Sequence, residues 1–429
     1  MIAFASLFLG LVVGLNPVEV VVGPEVARVE LFLDGGMVDS RSAPPWRMAC
    51  DFGPELRPRR LEARAFDRQG KALGHAVQDI NLPHPPAEVT VALEAESGGR
   101  GAVASLHWQS IVATDPLAVR VSFDGRPLPS PDPRRIELPD HDPGAPHFLR
   151  AELDFAGNLT AAGEIVFGGG YGEQVQTQLT AVPVALAEGF RAVPPAALDD
   201  ALRRGGRALP VVAVEEGVAE AVFVPALAAA AELARLESVR RRLAAHYPGH
   251  RTALGRDQWL RIVWPFPERQ DGRGAAYEVF PPIGPFTHAD GGLPLIISRS
   301  QPPSQESQEQ RLADAVAVAG LVARTRNRRR AVVLVTAADA PDQSLYDPDE
   351  VRRFLADLGV PLFVWSVDPR AAGGAWGEAT DVSSLLRLER ATRELSRLLD
   401  RQRILWVEGR HLPQEITLAP GVEAMRLVR

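Results

Sequence analysis

The apolar residues of this chain change their period once, near Val211, and this change limits what the chain can fold into. Before that point apolar and polar residues alternate, which is typical of half-buried strands in antiparallel sheets. After it, short apolar runs alternate with amphipathic segments of period 3.6, the pattern of a parallel sheet covered on both faces by helices. The sequence therefore predicts a multidomain protein with an all-β half followed by an α/β half.

Two pairs of segments in the first half resemble each other. Val29–Gly35 (VELFLDG) matches Val119–Gly125 (VRVSFDG), and Leu61–Gly70 (LEARAFDRQG) matches Leu149–Asn158 (LRAELDFAGN). The offsets are 119 − 29 = 90 and 149 − 61 = 88 residues, so the two pairs keep nearly the same separation. An alternating strand, an Asp-Gly turn and a second strand, repeated at this spacing, predict two immunoglobulin-like sandwiches.

The composition shifts give the predicted domain limits. We expect a possible signal peptide over residues 1–16, β modules over 17–85 and 86–186, a linker over 187–210 and an α/β domain over 211–429. The apolar run near the N-terminus has the length of a signal-peptide core and favours an extracytoplasmic protein, periplasmic or secreted. The alternative is a buried first strand in a cytoplasmic protein.

Composition also excludes some classes of function. The net charge of −7 argues against a nucleic-acid-binding protein, which needs a basic face. Cys50 is the only cysteine, so the chain has neither an internal disulfide nor a cysteine-based zinc site. Apart from the possible signal peptide, no segment is apolar over the roughly 20 residues that span a bilayer.

The second half carries explicit strand and helix signals. We predict a helix that begins after Asp347, with a capping box to Glu350, and ends at Gly359. A second helix would begin with a capping box of Ser307 and Gln310, and a third would run from Asp381 to about Leu399. The predicted strands are Ala221–Val224, Trp259–Trp264, Pro294–Ser298, Ala331–Thr336, Pro361–Val367 and Ile404–Gly409.

The stretch RRRAVVLVTAADAPDQSLYDPDEVRRFLADLGVPLFVWSV (Arg328–Val367) resembles a von Willebrand factor type A (vWFA) domain. The whole chain is similar to a bacterial group that joins immunoglobulin-like modules to such a domain, often in exported proteins. The resemblance implies a doubly wound, Rossmann-like α/β domain with a mostly parallel sheet. It also implies a metal-ion-dependent adhesion site, in which a D-x-S-x-S loop, a threonine and the aspartate of a "TDG" strand end bind one divalent ion.

The residues at the implied metal positions do not suit a divalent cation, which prefers oxygen ligands. The D-x-S-x-S positions are Pro225, Leu227 and Ala229, and the TDG aspartate position is Ala337. Asp339 lies two residues beyond that position, and Ser304 or Ser307 could take the place of the threonine. We therefore expect a degenerate site with no metal and no cofactor.

Other polar clusters have a simpler interpretation than a site. The glycine-rich Val166–Val175 is expected to be a β-turn, because a strand-like segment and not a helix follows it. The densest basic run, Arg324–Arg330, is predicted to be a solvated connector, with a docking patch for an acidic partner as the alternative. Loop residues without a catalytic or metal role are expected at Asp140, His141, Asp142, His147, His246, His250, His288 and Asp290.

These observations favour a non-enzymatic protein-binding or scaffold protein with an unidentified protein partner. Open α/β sheets bind ligands at the carboxyl ends of their strands, which makes Pro225, Leu227, Ser304, Ser307, Thr336 and Asp339 the candidate contact residues. The alternatives are a metal-ion-dependent adhesin, an enzyme with a non-standard site in the same crevice, and a purely structural role.

Overall fold

The computed structural model describes most of the chain, and the first half consists of two β-sandwiches. The described residues are 2–6, 8, 10–83, 87–95, 102–110, 115–129, 132–133, 135–155, 159–168, 179–187, 195–198, 200–271, 276–300, 302, 309–337, 342–370 and 374–429.

The first sandwich pairs a three-stranded sheet (β1-β2-β5) with a four-stranded sheet (β4-β3-β6-β7). Alternate residues of β3 and β6, such as Leu31 and Leu61, are fully buried between the two sheets, while their neighbours are more exposed. The strands are β1 Ile2–Phe4, β2 Leu15–Val22, β3 Arg28–Leu33, β4 Gly36–Arg41, β5 Arg47–Asp51, β6 Arg59–Phe66 and β7 Ala72–Ile80.

The second sandwich has the same plan, with sheets β12-β9-β8 and β11-β10-β13-β14. Leu149, Ala151 and Leu153 of its central strand are fully buried in the core. Its strands are β8 Ala87–Ala95, β9 Ala102–Ser110, β10 Ala118–Phe123, β11 Arg126–Leu128, β12 Ile136–Glu137, β13 His147–Phe155 and β14 Leu159–Phe167.

Strand register confirms the duplicated pattern. Leu33 pairs with Leu61 in the first sandwich, and Phe123 pairs with Leu149 in the second, which reproduces the offsets of 90 and 88. Both Asp-Gly turns place the aspartate and the glycine at positive φ, 50° and 83° at Asp34–Gly35 and 49° and 76° in the second turn. Such φ values are those of a two-residue type I′ hairpin.

The N-terminal segment packs onto the first sandwich. Ile2–Phe4 pairs with β2, and the ring of Phe8 contacts Phe52 edge-on at 5.2 Å. The N–H of Val12 donates to Asn81 Oδ1 at 2.7 Å. These contacts fit the alternative of a first strand, and cleavage of residues 1–16 stays a prediction.

A third antiparallel unit follows the second sandwich. It takes residues that were predicted as the end of the second β module (86–186), the linker (187–210) and the start of the α/β domain (211–429). Its first strands are β15 Leu179–Leu186, β16 Leu202–Arg204, β17 Arg207–Leu209 and β18 Val211–Glu215, with a 3-10 helix at Pro195–Leu198. Within residues 187–210 the structure therefore has two short strands, which the Pro/Gly/Ala-rich composition did not reveal.

The α/β unit contains one mixed sheet of six strands, four of whose five pairings are parallel. Its order is β23-β20-β19-β24-β25-β26, and the outer pair β20–β23 is antiparallel. The strands of this region are β19 Ala219–Pro225, β20 Gln258–Val263, β21 Glu268–Asp271, β22 Ala276–Val279, β23 Pro282–Phe286, β24 Arg329–Thr336, β25 Leu362–Ser366 and β26 Thr380–Asp381, with β21 and β22 forming a separate hairpin.

Helices cover this sheet, since β19 is buried at every residue and β24 at all but the last. They are α1 Leu227–Arg242, α2 Leu293–Arg299, α3 Leu312–Arg324, α4 Pro348–Leu358 and α5 Leu385–Asp400, with 3-10 turns at Gly249–Thr252, His288–Asp290 and Pro413–Glu415. None of the helices in the described part of the chain combines the length and apolar character needed to cross a membrane.

The last strands return to the third unit. β27 Gln402–Glu408, β28 Ile416–Leu418 and β29 Met425–Leu427 complete the sheets β18-β27-β15-β29 and β17-β16-β28. The predicted strand Ile404–Gly409 is therefore a strand, but it pairs antiparallel with β15 and β18 and does not extend the parallel sheet.

Two further predictions in this half were wrong. Pro294–Ser298 lies in α2, because the buried residues Leu293, Ile296 and Ile297 follow helical spacing and short apolar runs do not separate helix from strand. Asp347 makes no side-chain cap on α4, and Glu350 instead accepts the N–H of Leu56, 2.8 Å away in the first sandwich. The predicted end of α4 is confirmed, with Gly359 in the left-handed conformation.

Candidate functional site

The carboxyl ends of β19 and β24 form the edge where the binding crevice was predicted. Pro225 ends β19, is buried and pairs in register with Val335 of β24. Leu227 begins α1, and Thr336 ends β24. The structure thus brings Pro225, Leu227 and Thr336 to one edge, while Ser304, Ser307 and Asp339 lie outside the described residues.

The N-terminus of α1 at this edge is closed by a side chain of the same chain. The N–H of Leu227 donates to Gln310 Oε1 at 2.7 Å, and Gln310 is almost fully buried. Thr336 Oγ1 donates to the carbonyl of its neighbour Ala337 at 3.1 Å, and Ala229 is buried inside α1. Gln310 was predicted as part of a capping box for its own helix, and it caps α1 instead.

The carboxylates near this edge are engaged with backbone groups. Asp342 Oδ1 accepts the N–H of Leu312 at 2.8 Å, and Asp314 accepts the N–H of Leu345 at 3.0 Å while pairing with Arg311 at 2.6 Å. Among the described residues, no three His, Cys, Asp or Glu side chains come together in a group that could hold a metal ion. Asp342 and Asp314 therefore hold backbone N–H groups at this edge.

A groove lies along β25, next to the edge strand β26, and it was not predicted from the sequence. Its volume is about 640 Å³, which is in the range of ligand pockets. Val360, Leu362 and Val364 form an apolar floor next to the face of α4. The remaining lining residues are Asp349, Arg352, Arg353, Ala356, Trp376, Glu378 and Arg429.

The backbone edge of β25 is open along this groove. The two-residue strand β26 pairs only with Trp365 and Ser366, so the first half of β25 has no strand partner on this side among the described residues. The carbonyl of Pro361 accepts from β24, whereas the carbonyl of Ser366 accepts from Val382 on the outer side. In a strand, residues two or four apart point their backbone N–H and C=O groups to the same side. Leu362 is four residues before Ser366, so its N–H and C=O also point outward and face the groove.

The arginine run before β24 is not a solvated connector, and this prediction was wrong. Arg324, Arg326, Arg328, Arg329 and Arg330 are all buried, with at most 9% of their surface exposed. Their partners belong to the same protein, so the run is not available as a docking patch for an acidic partner.

Two of these arginines, Arg326 and Arg328, join the α/β unit to the second sandwich. Arg326 donates to Thr160 Oγ1 of β14 at 2.7 Å. Arg326 pairs with Glu220 at 3.2 Å, and Glu220 also binds Arg261. Arg328 pairs with Glu152 of β13. Burial alone would raise the pKa of Glu152, but Arg328 and Arg150 outweigh it and lower the pKa to about 2.

The outer face of β13 and β14 supplies the sandwich side of this interface. Arg150 donates to Glu215 of the third unit at 2.9 Å, and the indole N–H of Trp406 donates to the same carboxylate at 3.0 Å. Glu164 lies directly opposite Arg150 across the strand pair, but its Oε1 is enclosed and has no hydrogen-bond partner. Burial raises the pKa of Glu164 to about 7, against the opposing effect of Arg150.

Two of the histidines weighed as ligands, His147 and His288, have structural partners. His147 Nδ1 lies 2.8 Å from Asp124 Oδ2, and its Nε2 lies 2.8 Å from the carbonyl of Asp142. The equivalent ion pair in the first sandwich joins Arg59 to Asp34 at 2.9 Å. His288 Nδ1 contacts the carbonyl of Leu254 at 2.9 Å. Residues 169–175 of the glycine-rich segment Val166–Val175 lie outside the described part, so the predicted β-turn is not tested.

Comparison with known proteins does not assign a family. No protein-family model and no curated protein matches the sequence. Solved structures that match include the fibronectin(III)-like modules of Clostridium thermocellum CbhA (17% identity, 19% of this chain and 93% of that chain, TM-score 0.17) and the central fibronectin-III array of RIM-binding protein (11% identity, 47% and 81%, TM-score 0.21). A β-glycosidase from Bacteroides vulgatus matches at 14% identity over 39% of this chain and 24% of its own, with a TM-score of 0.20. TM-scores of this size establish neither a common overall fold nor a common function.

Proposed function

We propose that this protein is a non-enzymatic scaffold that binds an extended segment of a partner protein in the groove beside β25. The observation that carries the proposal is the open backbone edge at Leu362 above an apolar floor. A peptide that adds a strand to such an edge gains main-chain hydrogen bonds, and pockets for alternate side chains provide specificity.

The lining of the groove defines the segment that fits. Leu362 and Val364 share one face of β25, so a bound strand would place an apolar side chain over them at every second residue. The lining carries three arginines (Arg352, Arg353 and Arg429) and two carboxylates (Asp349 and Glu378), and Arg352 already pairs with Asp349 at 3.3 Å. This mixed lining suits polar or acidic side chains at the intervening positions. We therefore expect a partner segment that alternates apolar with acidic or polar residues and contains no proline.

The rest of the chain supports a scaffold role because it fixes the α/β unit in place. The Arg328–Glu152 ion pair connects this unit to the second sandwich, as described above. The N–H of Leu56 in the first sandwich donates to Glu350 Oε1 of α4 at 2.8 Å. Because the α/β unit is held at several points, the groove beside β25 would keep one orientation relative to the rest of the protein.

We further infer that the α/β unit is a doubly wound domain of the vWFA type that works without a metal ion. Counting only the strands of its sheet in chain order, the spatial order is 3-2-1-4-5-6, which is a doubly wound order. The closure of the α1 N-terminus by Gln310 supports binding that does not use an ion-bridged carboxylate. An extracytoplasmic location belongs to the same proposal and is tested by an alkaline phosphatase fusion to the C-terminus, which is active only outside the cytoplasm.

The proposal is tested by selecting random peptides displayed on phage against the immobilised full chain. Leu362→Pro is the informative variant, because it removes the N–H that points outward. The hydrogen bonds to β24 are made by the neighbouring odd-numbered residues, such as Pro361, and do not use this N–H. Leu362→Ala is the matched control, since it shortens the same side chain and keeps the N–H. We expect selected peptides to bind the wild type and, more weakly, Leu362→Ala, and to lose at least tenfold in affinity for Leu362→Pro.

Two results would overturn this function. If no selected peptide distinguishes Leu362→Ala from Leu362→Pro, the sheet edge is not the binding site. Saturable binding of Mg²⁺, Mn²⁺ or Ca²⁺ to the chelator-treated chain in isothermal calorimetry would favour an ion-dependent adhesin.

A further inference from the structure

Two buried arginines at the end of α4 have no ion-pair partner among the described residues, unlike their neighbours in the same run. Arg330 is fully buried, and its Nε donates to the carbonyl of Gly359 at 3.1 Å. Arg324 donates from NH1 to the adjacent carbonyl of Leu358 at 2.8 Å. Within the described part of the chain, neither guanidinium is within 4.0 Å of a carboxylate. The ion pairs of this arginine run are formed by Arg326, Arg328 and Arg329.

The terminal nitrogens of Arg330 are the least satisfied polar groups of this region. Both NH1 and NH2 are enclosed and have no hydrogen-bond partner in the part of the chain that the structure describes. Asp79 is the acidic residue whose charge acts on Arg324, but its carboxylate is already bound by Arg60 and Arg410. Two guanidiniums therefore share the partial negative charge of one helix C-terminus, about half an elementary charge.

Electrostatics makes this arrangement costly unless something else is bound there. Burying an isolated ion in a medium of low dielectric constant is strongly unfavourable, and arginine does not escape this cost by losing its proton. Water could satisfy the N–H groups, but it would not neutralise the charge. A small anion does both, because NH1 and NH2 of one guanidinium present parallel donors in a fixed fork.

We propose that Arg330 and Arg324 form an internal binding site for a small monovalent anion, with chloride as the physiological ligand. The anion accepts hydrogen bonds from NH1 and NH2 of Arg330 and lies within the field of Arg324. The site is independent of the groove, since no residue that lines the groove belongs to it.

The first test is thermal unfolding of the full chain at constant ionic strength, with chloride replacing gluconate. We expect the Tm to rise by about 2–4 °C along a saturable binding curve. Bromide should act in the same way. Arg330→Met should abolish the dependence, and Arg207→Met, which removes an exposed arginine, should retain it.

A second test needs no variant, and it remains decisive if Arg330→Met does not fold. Crystals of the wild type grown in sodium bromide should show an anomalous difference peak within hydrogen-bonding distance of both terminal nitrogens of Arg330. Water alone at that position, or a Tm that changes with chloride without saturation, would overturn the proposal.

Discussion

The buried carboxyl of Glu164 makes the stability of this protein depend on pH, and Glu164→Gln should remove that dependence. The side chain faces Arg150, but Arg150 is already held by Glu152 and Glu215 at 2.8 and 2.9 Å. Among the described residues, none donates a hydrogen bond to the enclosed Oε1 of Glu164. Its charged form is therefore poorly compensated, and burial raises its pKa from 4.5 to about 7.

The size of the effect follows from the difference in pKa. Because the folded state binds the proton more tightly, the stabilisation is fully present below pH 4.5 and is lost as the pH rises through 7. At about 1.4 kcal/mol per pH unit, ionised Glu164 lowers the free energy of unfolding by roughly 3 kcal/mol at pH 9. A glutamine has the shape of the protonated acid and does not ionise, so the variant should gain this amount at high pH only.

Differential scanning calorimetry at pH 5 and pH 9 measures the change. We expect Glu164→Gln to match the wild type at pH 5 and to unfold at a higher temperature at pH 9. Glu137→Gln is the control, because Glu137 belongs to the same sandwich and its side chain is 80% exposed. An equal Tm of wild type and Glu164→Gln at pH 9, or the same gain in the control, would refute the reasoning.

Three further predictions concern other buried groups. His147→Gln should lower the Tm more at pH 5.5 than at pH 8.5. Burial opposes the charged ring, but Asp124 and the Asp142 carbonyl outweigh it and raise the pKa of His147, so the stabilisation by His147 is lost as the pH rises through that pKa. An equal loss of Tm at both pH values would contradict this. Cys50 should not react with a maleimide at pH 8 until the chain is unfolded, because burial, reinforced by the charge of Asp51, raises the pKa of its thiol to about 11. Rapid labelling of the folded protein would show that the thiol is accessible and would contradict this. Glu220→Gln should destabilise the protein by about 3–5 kcal/mol in urea unfolding, since it leaves buried guanidiniums without their carboxylate, and a change below about 1 kcal/mol would mean that the ion pairs at Glu220 contribute little.

The candidate site shows how far sequence reasoning reaches. Pro225, Leu227 and Thr336 lie at one edge, as expected, because strands of a parallel sheet end together. The groove could not be foreseen, since it depends on β26 being only two residues long. Among the described residues, this leaves Leu362 without a strand partner on its outer side. The burial of Arg324–Arg330 was missed because charge alone predicts solvent exposure. Glu152, the partner of Arg328, lies 176 residues away in the chain.

Local sequence determined the elements of this protein, and tertiary structure decided which surfaces they bury. The Asp-Gly turns and their flanking strands repeat at offsets of 90 and 88 residues, because turn geometry and alternation are properties of a few adjacent residues. The alternation in β13 placed Leu149, Ala151 and Leu153 on one face, but it did not show that Arg150 on the other face would also be buried. Whether a polar face meets water or another domain depends on contacts between residues far apart in the chain, and a local pattern contains no information about them.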